Sequence, residues 1–267
     1  MIPLLALWGT ATLFLAVVMS AAWVVQRRTG QGGWADAFWS FGLGLAGVGV
    51  ALFPLDGSSP SARQWLVAVL IGLWGLRLGL HIAHRAAREA EDPRYARLRV
   101  EWGQGFQAKM FGFLMLQAGA AAFLALSVLA AARNPTPGLT LQDGAAALLF
   151  VSALIGEAVA DRQLAAFKAD PAHRGQVCDT GLWAWSRHPN YFFEWLGWCA
   201  WPVFAISFSS PWPWGWLALT GPAYIYWLLN HVSGVPLLEA HMRRSRPEAF
   251  AAYAARTSRF FIRPPKR

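Results

Sequence analysis

Residues 3–25 read PLLALWGTATLFLAVVMSAAWVV. This stretch contains no charged residue, and it is long enough to cross a bilayer, since a helical span needs about 20 mostly apolar residues. A segment of this kind is typical of a transmembrane helix, because a helix satisfies all its backbone hydrogen bonds internally. The rest of the chain agrees: 56% of its residues are hydrophobic and only 14% are charged, whereas about a quarter are charged in soluble domains.

Six further apolar stretches follow the first one along the chain. The sequence therefore predicts an all-α integral membrane protein with seven transmembrane helices. We expect a single membrane domain over residues 1–267, with N-terminal spans in 3–132 and a cofactor-binding half in 142–262. The second span contains four glycines that would allow close helix packing, namely Gly42, Gly44, Gly47 and Gly49. The seven predicted spans are 3–25, 34–54, 64–83, 110–132, 142–160, 190–208 and 213–232.

The basic residues lie mainly in alternate loops. With the N-terminus outside, the cytoplasmic segments hold twenty of the 23 Lys and Arg residues. Since cytoplasmic loops retain basic residues, the pattern predicts a periplasmic N-terminus, a cytoplasmic C-terminus and sites that open to the cytoplasm. The Ala- and Arg-rich composition favours a bacterial inner membrane. Topology thus explains the net charge of +9, so nucleic acid is not expected as a partner. The basic loop from His81 to Lys109 is expected to lie against anionic membrane lipids.

Several ionisable or polar side chains lie in or near predicted spans. Charged groups at membrane depth are costly, and by default they mark a functional site. Arg77 lies between two apolar triplets, and it either serves a site or forms a buried ion pair with Glu157 or Glu194. Asp36 and Gln117 lie near span ends, where a carboxylate or an amide meets water as readily as it serves a site.

The densest group of polar residues is SRHPNYFFE, residues 186–194. Pro189 suits the first position of a helix, so Arg187 and His188 precede a helix N-terminus, where anions are favoured. Asn190 and Glu194 are four residues apart and share one helix face. This arrangement suits a ligand that is anionic at one end and amide-like at the other, such as a nicotinamide dinucleotide.

Two other segments carry polar residues that would suit the same ligand. Asp161 and Lys168 are two helical turns apart on one face, a spacing that suits a ribose and a phosphate as well as a solvated helix end. Glu239, His241 and Tyr253 lie on two predicted helices near the C-terminus. The sequence has no metal-ligand spacing, and it lacks the glycine-rich, Walker, nucleophile-elbow and H-E-x-x-H motifs.

At Arg187-His188-Pro189-Asn190-Tyr191, with Glu194 following, the sequence resembles the membrane steroid 5-alpha-reductase and sterol reductase superfamily, and most closely a bacterial branch of it. Segments 91–95, 161–168 and 236–257 support the likeness, which covers about residues 34–262. The resemblance implies NADPH as cofactor, with its nicotinamide at Asn190 and Glu194. The residues expected to bind it are Arg77, Glu157, Asp161, Lys168, Arg187, His188, Asn190, Tyr191, Glu194, Glu239, His241 and Tyr253.

The resemblance also implies where catalysis takes place. In steroid 5-alpha-reductases a carboxylate on the second span and a tyrosine on the third polarise the substrate ketone. Asp36 takes the first place and Trp74 the second, but Trp74 is not an equivalent proton donor, which argues against a steroid enone. The implied reaction is reduction of a carbon–carbon double bond in a lipid or steroid-like substrate, with Asp36, if protonated, as the donor.

Two other functions remain open. Membrane methyltransferases of the isoprenylcysteine carboxyl type, which use S-adenosylmethionine, also carry an R-H-P-x-Y motif before a membrane helix. Glu194, three residues after Tyr191, favours the reductase. A non-catalytic lipid-binding or scaffold protein is the third possibility, and the presence of both Asn190 and Glu194 argues against it.

Overall fold

The computed structural model describes residues 2–55, 57–88, 91–207 and 212–266. Helices account for 80% of the structure, and no strand occurs in the described residues, which confirms the predicted all-α class. Short 3-10 segments occur at Gly103–Gly105, Pro171–His173 and Pro213–Leu219, and a π-helical turn at Leu228–Val232. The α-helices are α1 (Ile2–Thr29), α2 (Trp34–Leu52), α3 (Ala62–Arg88), α4 (Pro93–Trp102), α5 (Phe106–Ala132), α6 (Leu141–Ala169), α7 (Leu182–Trp185), α8 (Pro189–Trp198), α9 (Ala200–Ala205), α10 (Thr220–Trp227), α11 (Val235–Ser245) and α12 (Pro247–Arg256).

Five of the described helices are long and apolar enough to cross a membrane. They are α1, α2, α3, α5 and α6, with α5 counted as part of the continuous stretch Pro93–Ala132. Each corresponds to one of the first five predicted spans. Five such helices are typical of a multi-pass membrane protein. The direction in which the helices cross stays a prediction.

The last two predicted spans, 190–208 and 213–232, are divided into shorter helices, and residues 208–211 lie outside the described part of the chain. A proline has no N–H and clashes with the carbonyl four residues before it. Pro202 therefore cannot continue a helix from Trp198, where α8 ends. Pro222 likewise cannot donate to the carbonyl of Ala218, which accepts a 3.0 Å hydrogen bond from the Ser127 hydroxyl instead. Hydropathy does not detect such breaks, and the count of seven spans stays a prediction.

The chain divides into two compact units, and the first comprises residues 1–143 and 201–220. In this unit α2 and α3 approach closely at two glycines. A Cβ atom on Gly44 would lie 2.9 Å from the Cα of Gly75, so only glycine permits the contact. Gly42 and Gly47 also lack room for a Cβ, whereas Gly49 has nothing within 4 Å. The packing role predicted for the four glycines is confirmed for three of them.

A buried ion pair organises one end of the first unit. The Arg63 guanidinium donates to both carboxylate oxygens of Asp143, at 2.7 and 2.8 Å, and both residues are buried. It also donates to the carbonyls of Asn134, Thr136 and Gly138. Arg63 thus holds the chain between α5 and α6, a role that no sequence pattern indicated.

The second unit comprises residues 144–200 and 221–267. It contains most of α6 together with α7, α8 and the C-terminal helices. Here α8 lies close to α6, because a Cβ on Gly156 would meet the Phe193 ring at 2.4 Å. The absence of a side chain at Gly156 thus allows the polar residues of these two helices to come together.

Candidate functional site

The turn that leads into α8 is held by the C-terminal part of the chain. α8 begins at Pro189, as predicted. Three hydrogen bonds join residues 185–187 to residues 258–263, so the turn is fixed along its length by a segment about 70 residues away. The bonds run from Ser186 Oγ to the Phe260 carbonyl (2.8 Å), from the Arg187 N–H to the Ser258 carbonyl (2.8 Å) and from the Arg263 N–H to the Trp185 carbonyl (3.1 Å).

A buried carboxylate, Glu239, lies at the centre of a charged cluster. It is only 3% exposed. It accepts a hydrogen bond from Arg187 Nε at 2.9 Å, and Arg187 Nη2 lies 2.8 Å from the same oxygen in an ion pair. Arg243 donates to its second oxygen at 3.0 Å, and His188 Nε2 lies 3.4 Å away. We call Arg187, His188, Glu239 and Arg243 the Glu239 cluster. The structure thus brings together three of the predicted cofactor residues.

The protonation states in the Glu239 cluster follow from burial and charge. Burial alone raises the pKa of Glu239, but the hydrogen bond from His188 and the charge of Arg187 outweigh it and hold this pKa below its ordinary value of 4.5. Burial lowers the pKa of His188 below its ordinary value of 6.5, and Glu239 opposes this only in part. At neutral pH the cluster therefore contains an ionised carboxylate and a neutral imidazole, whose Nε2 proton faces Glu239.

Arg187 and Tyr253 use their donors within the protein. Besides Glu239, Arg187 donates through Nη1 to the carbonyls of Ala254 and Thr257, at 3.0 and 3.3 Å. The Tyr253 hydroxyl donates to the carbonyl of Trp183 at 2.6 Å, and burial raises the pKa of Tyr253. These contacts connect the turn before α8 to α12. A cofactor phosphate at Arg187 would have to compete with them.

The second group of polar residues lies where α6 faces α8. Asn190 Nδ2 donates to Asp161 Oδ1 at 3.2 Å, which joins two predicted cofactor residues that are 29 positions apart. Glu194, one turn further along α8, accepts a hydrogen bond from Trp198 Nε1 at 2.8 Å. Glu157, one turn before Asp161 on α6, is buried. This group therefore offers carboxylate acceptors and one amide on adjacent helices.

α8 has no fully buried face beside this polar group. Every residue from Asn190 to Gly197 is partly exposed, and burial resumes only at Trp198. A helix that is packed on one side has a buried stripe at three- to four-residue spacing. Asn190 and Glu194 are therefore partly accessible on this helix.

The remaining predicted residues of this unit lie in different surroundings. Tyr191 stacks on His188 with ring centres 5.8 Å apart, and its ring lies against Gly234. Lys168 and His241 are exposed. His241 is two residues from Glu239 on α11, so it points away from the Glu239 cluster.

The predicted catalytic residues belong to the first unit. Asp36 Oδ1 accepts a hydrogen bond from the Tyr95 hydroxyl at 2.8 Å, and Oδ2 accepts one from Arg94 at 2.5 Å. Trp74 is buried and packs edge-on against Trp39, with ring centres 6.3 Å apart. Trp74 thus contacts a residue that lies one helical turn from Asp36 on α2, and its indole has no acidic proton.

Tyr95 had no predicted role, although it lies in the segment 91–95 that supports the family resemblance. A signal was present: Asp92-Pro93 is a helix-start pattern, and Asp92 does cap α4 by accepting from the Arg94 N–H. This start places Arg94 and Tyr95 in the first turn of a helix that faces α2. The predicted pairing of Arg77 with Glu157 or Glu194 stays a prediction.

Comparison with known proteins gives one result. Residues 22–257 match a family that is described as a protein of unknown function, DUF1295. No curated protein and no solved structure matches the chain. The family match covers well over half of the 267 residues. The chain therefore belongs to the DUF1295 family.

Proposed function

We propose that this protein is an NADPH-dependent membrane reductase that acts on a carbon–carbon double bond of a lipid or steroid-like substrate. The hydrogen bond between Asn190 and Asp161 is the observation that carries the proposal. It joins the residue expected to hold the nicotinamide amide to the residue expected to hold the adjoining ribose. Glu194 lies on the same face of α8, within the partly exposed run 190–197.

The donor set fits a nicotinamide and its ribose better than it fits the phosphates. An amide needs a donor and an acceptor, which Asn190 and Glu194 supply, and a ribose hydroxyl needs an acceptor such as Asp161. Arg187 is already paired with Glu239 and with backbone carbonyls, so we assign the phosphate to exposed cations such as Lys168 and Arg243. When bound, the cofactor supplies the hydride, and the protein supplies position and electrostatics.

For the substrate, we assign the proton-donating role to Tyr95 instead of Trp74. A proton donor must carry an acidic proton. The Tyr95 hydroxyl carries one, whereas the indole N–H of Trp74 has no comparable acidity. Asp36 accepts hydrogen bonds at both carboxylate oxygens, so it orients Tyr95 and does not donate.

The topology belongs to the same proposal. We infer seven crossings, with the N-terminus periplasmic and the C-terminus cytoplasmic in a bacterial inner membrane. The distribution of basic residues supports this, because twenty of the 23 then lie on the cytoplasmic side. Both the Glu239 cluster and the Asn190–Asp161 pair would then open to the cytoplasm, where NADPH is available.

The test is ligand-dependent thermal stabilisation of the detergent-purified protein with NADPH, NADH and S-adenosylmethionine in parallel. A ligand that binds only the folded protein stabilises it, by about 2.7 kcal/mol when the ligand concentration is 100 times Kd. The melting temperature rises as a result. We expect NADPH to do so, and Asn190→Ala and Glu194→Ala to abolish the shift. Gln176→Ala, which changes an exposed amide in the same unit, is the matched control. A shift with S-adenosylmethionine alone would refute the reductase proposal in favour of the methyltransferase alternative.

A further inference from the structure

An open groove lies in the second unit, on the flank of α6 opposite Asp161. Its volume is about 470 Å³, which is within the range of small-molecule sites. Asp161 contacts Asn190 on α8, and it is two residues away from both Val159 and Gln163, so its side chain points away from theirs. The groove is therefore separate from the Asn190–Asp161 pair. Its lining residues are Val159, Gln163, Gly181, Leu182, Trp185 and Ile262.

Hydrogen bonds hold three segments of the chain around this groove. The Leu182 N–H donates to Gln163 Oε1 at 2.9 Å, which joins the start of α7 to α6. The Arg263 N–H donates to the Trp185 carbonyl at 3.1 Å, which holds the C-terminal segment beside the end of α7. Gly181 has a φ of 58°, and a Cβ there would lie 2.6 Å from the Gln163 amide nitrogen. The walls of the groove are thus fixed by the fold.

An exposed apolar surface of α6 leads into the groove. Leu148, Val151 and Ile155 are exposed, and together with Val159 they recur at three- and four-residue spacing. α6 is long and apolar enough to cross a membrane, so this surface faces lipid chains in a bilayer. From Leu148 to Val159 the helix rises about 16 Å, close to half of a hydrocarbon core of about 30 Å. An acyl chain from one leaflet can therefore follow α6 and end at the groove.

A cation lies where this apolar surface ends. Arg162 is exposed and follows Val159 by three residues, so the two share one side of α6. The residues three and four positions from Arg162 are Ala158, Val159, Ala165 and Ala166, so no carboxylate at this spacing neutralises its charge. The lining of the groove contains no carboxylate either. A basic residue in this position complements the phosphate of a lipid head group.

Different membrane lipids would meet this charge pattern differently. A sterol or a neutral glyceride offers no anion to Arg162. Phosphatidylcholine offers a phosphate, but its ammonium group would lie near Arg162 without a carboxylate in the groove to pair with it, and like charges repel. An anionic phospholipid pairs with Arg162 and brings no cation. Its ester carbonyls can also accept hydrogen bonds, and the two lining side chains with N–H donors are those of Gln163 and Trp185.

We propose that this groove binds an anionic phospholipid, with one acyl chain along α6 and the phosphate at Arg162. Trp185, which is exposed and lines the groove, then lies at the depth where aromatic side chains anchor membrane proteins. The lipid is a structural ligand of the second unit and not a substrate. The proposal therefore goes beyond the proposed function and does not depend on reductase activity.

The experiment is native mass spectrometry of the delipidated full-length protein in detergent, without any cofactor. The protein is titrated in parallel with dioleoyl phosphatidylglycerol and dioleoyl phosphatidylcholine, which carry the same acyl chains and differ in the head group. We expect the first phosphatidylglycerol to bind more tightly than the first phosphatidylcholine. Arg162→Gln should weaken phosphatidylglycerol binding by about fivefold, the effect of one basic residue at a membrane surface.

Arg244→Gln is the matched control, because it removes an exposed cation from α11, which contributes no residue to the groove. It should keep the affinity for phosphatidylglycerol. Val159→Trp should fill the groove and prevent binding of the first lipid, and Ile262→Trp should do the same if the first variant does not fold. Equal affinities for the two lipids, or equal losses in Arg162→Gln and Arg244→Gln, would overturn the proposal. Since no cofactor is present, a failed NADPH test would leave this result unaffected.

Discussion

Replacement of Glu239 by glutamine is expected to destabilise the protein by about 3 kcal/mol. Glu239 is 3% exposed. It accepts a hydrogen bond from Arg187 and forms an ion pair with it, and the Arg187 side chain is 11% exposed. Removal of one partner of a buried ion pair costs about 3–5 kcal/mol, because the other charge stays buried. The amide of Glu239→Gln keeps one acceptor, which places the expected loss at the lower end of that range.

Arg243→Gln provides the internal comparison on the same carboxylate. The Arg243 side chain is 67% exposed, and an exposed ion pair contributes below about 1 kcal/mol. Equilibrium unfolding in mixed micelles, with resistance to proteolysis as the signal, measures the free energy of unfolding of both variants. A double-mutant cycle with Arg187→Gln then isolates the coupling energy between Glu239 and Arg187. If Glu239→Gln and Arg243→Gln lost the same small amount, Glu239 would not be the buried centre of the cluster.

Three further predictions concern stability. Acidification should destabilise the protein in two pH ranges. Burial lowers the pKa of His188, so the stability that its neutral form contributes is lost as pH falls below about 6.5 towards the folded pKa. The stability that ionised Glu239 contributes is lost as pH falls below about 4.5. Melting temperatures between pH 8 and 2 measure both losses, and His188→Gln should remove only the first of them. Arg63→Ala should cost at least 3 kcal/mol, since it leaves Asp143 buried without a counter-charge, and Arg63→Lys should recover only part of it in the same unfolding assay. Tyr253→Phe should cost about 1 kcal/mol without changing any NADPH-dependent shift, and loss of that shift would place Tyr253 in contact with the ligand.

The long apolar helices, the start of one short helix and one shared helix face could be predicted from the sequence. Length and hydropathy are local properties, so α1, α2, α3, α5 and α6 follow from composition alone. The helix start at Pro189 is local as well, because proline has a fixed φ and no N–H to satisfy. The face shared by Asn190 and Glu194 follows from the 3.6-residue period, although the contact of Asn190 with Asp161 needed the structure.

Contacts between distant segments could not be predicted in the same way. Arg63 and Asp143 are 80 positions apart, and no periodicity connects them. The same limit applies to Tyr95, which reaches Asp36 from a helix 59 positions away. The breaks before Pro202 and Pro222 were also missed, because a hydropathy window averages over the single residue that interrupts a helix.

The hydrogen-bond partners of a polar side chain indicate whether its role is structural or functional better than its position in a motif does. Arg187 and Tyr253 belong to the segments that carry the reductase resemblance, yet they donate to backbone carbonyls and a buried carboxylate. Backbone carbonyls cannot be displaced without local unfolding, so these residues hold the turn in place. Asn190 instead meets another side chain on a partly exposed helix, and side chains can exchange partners when a ligand arrives. By this criterion the Asn190–Asp161 pair is the place where a cofactor contact should be sought, and the Glu239 cluster is the framework that positions it.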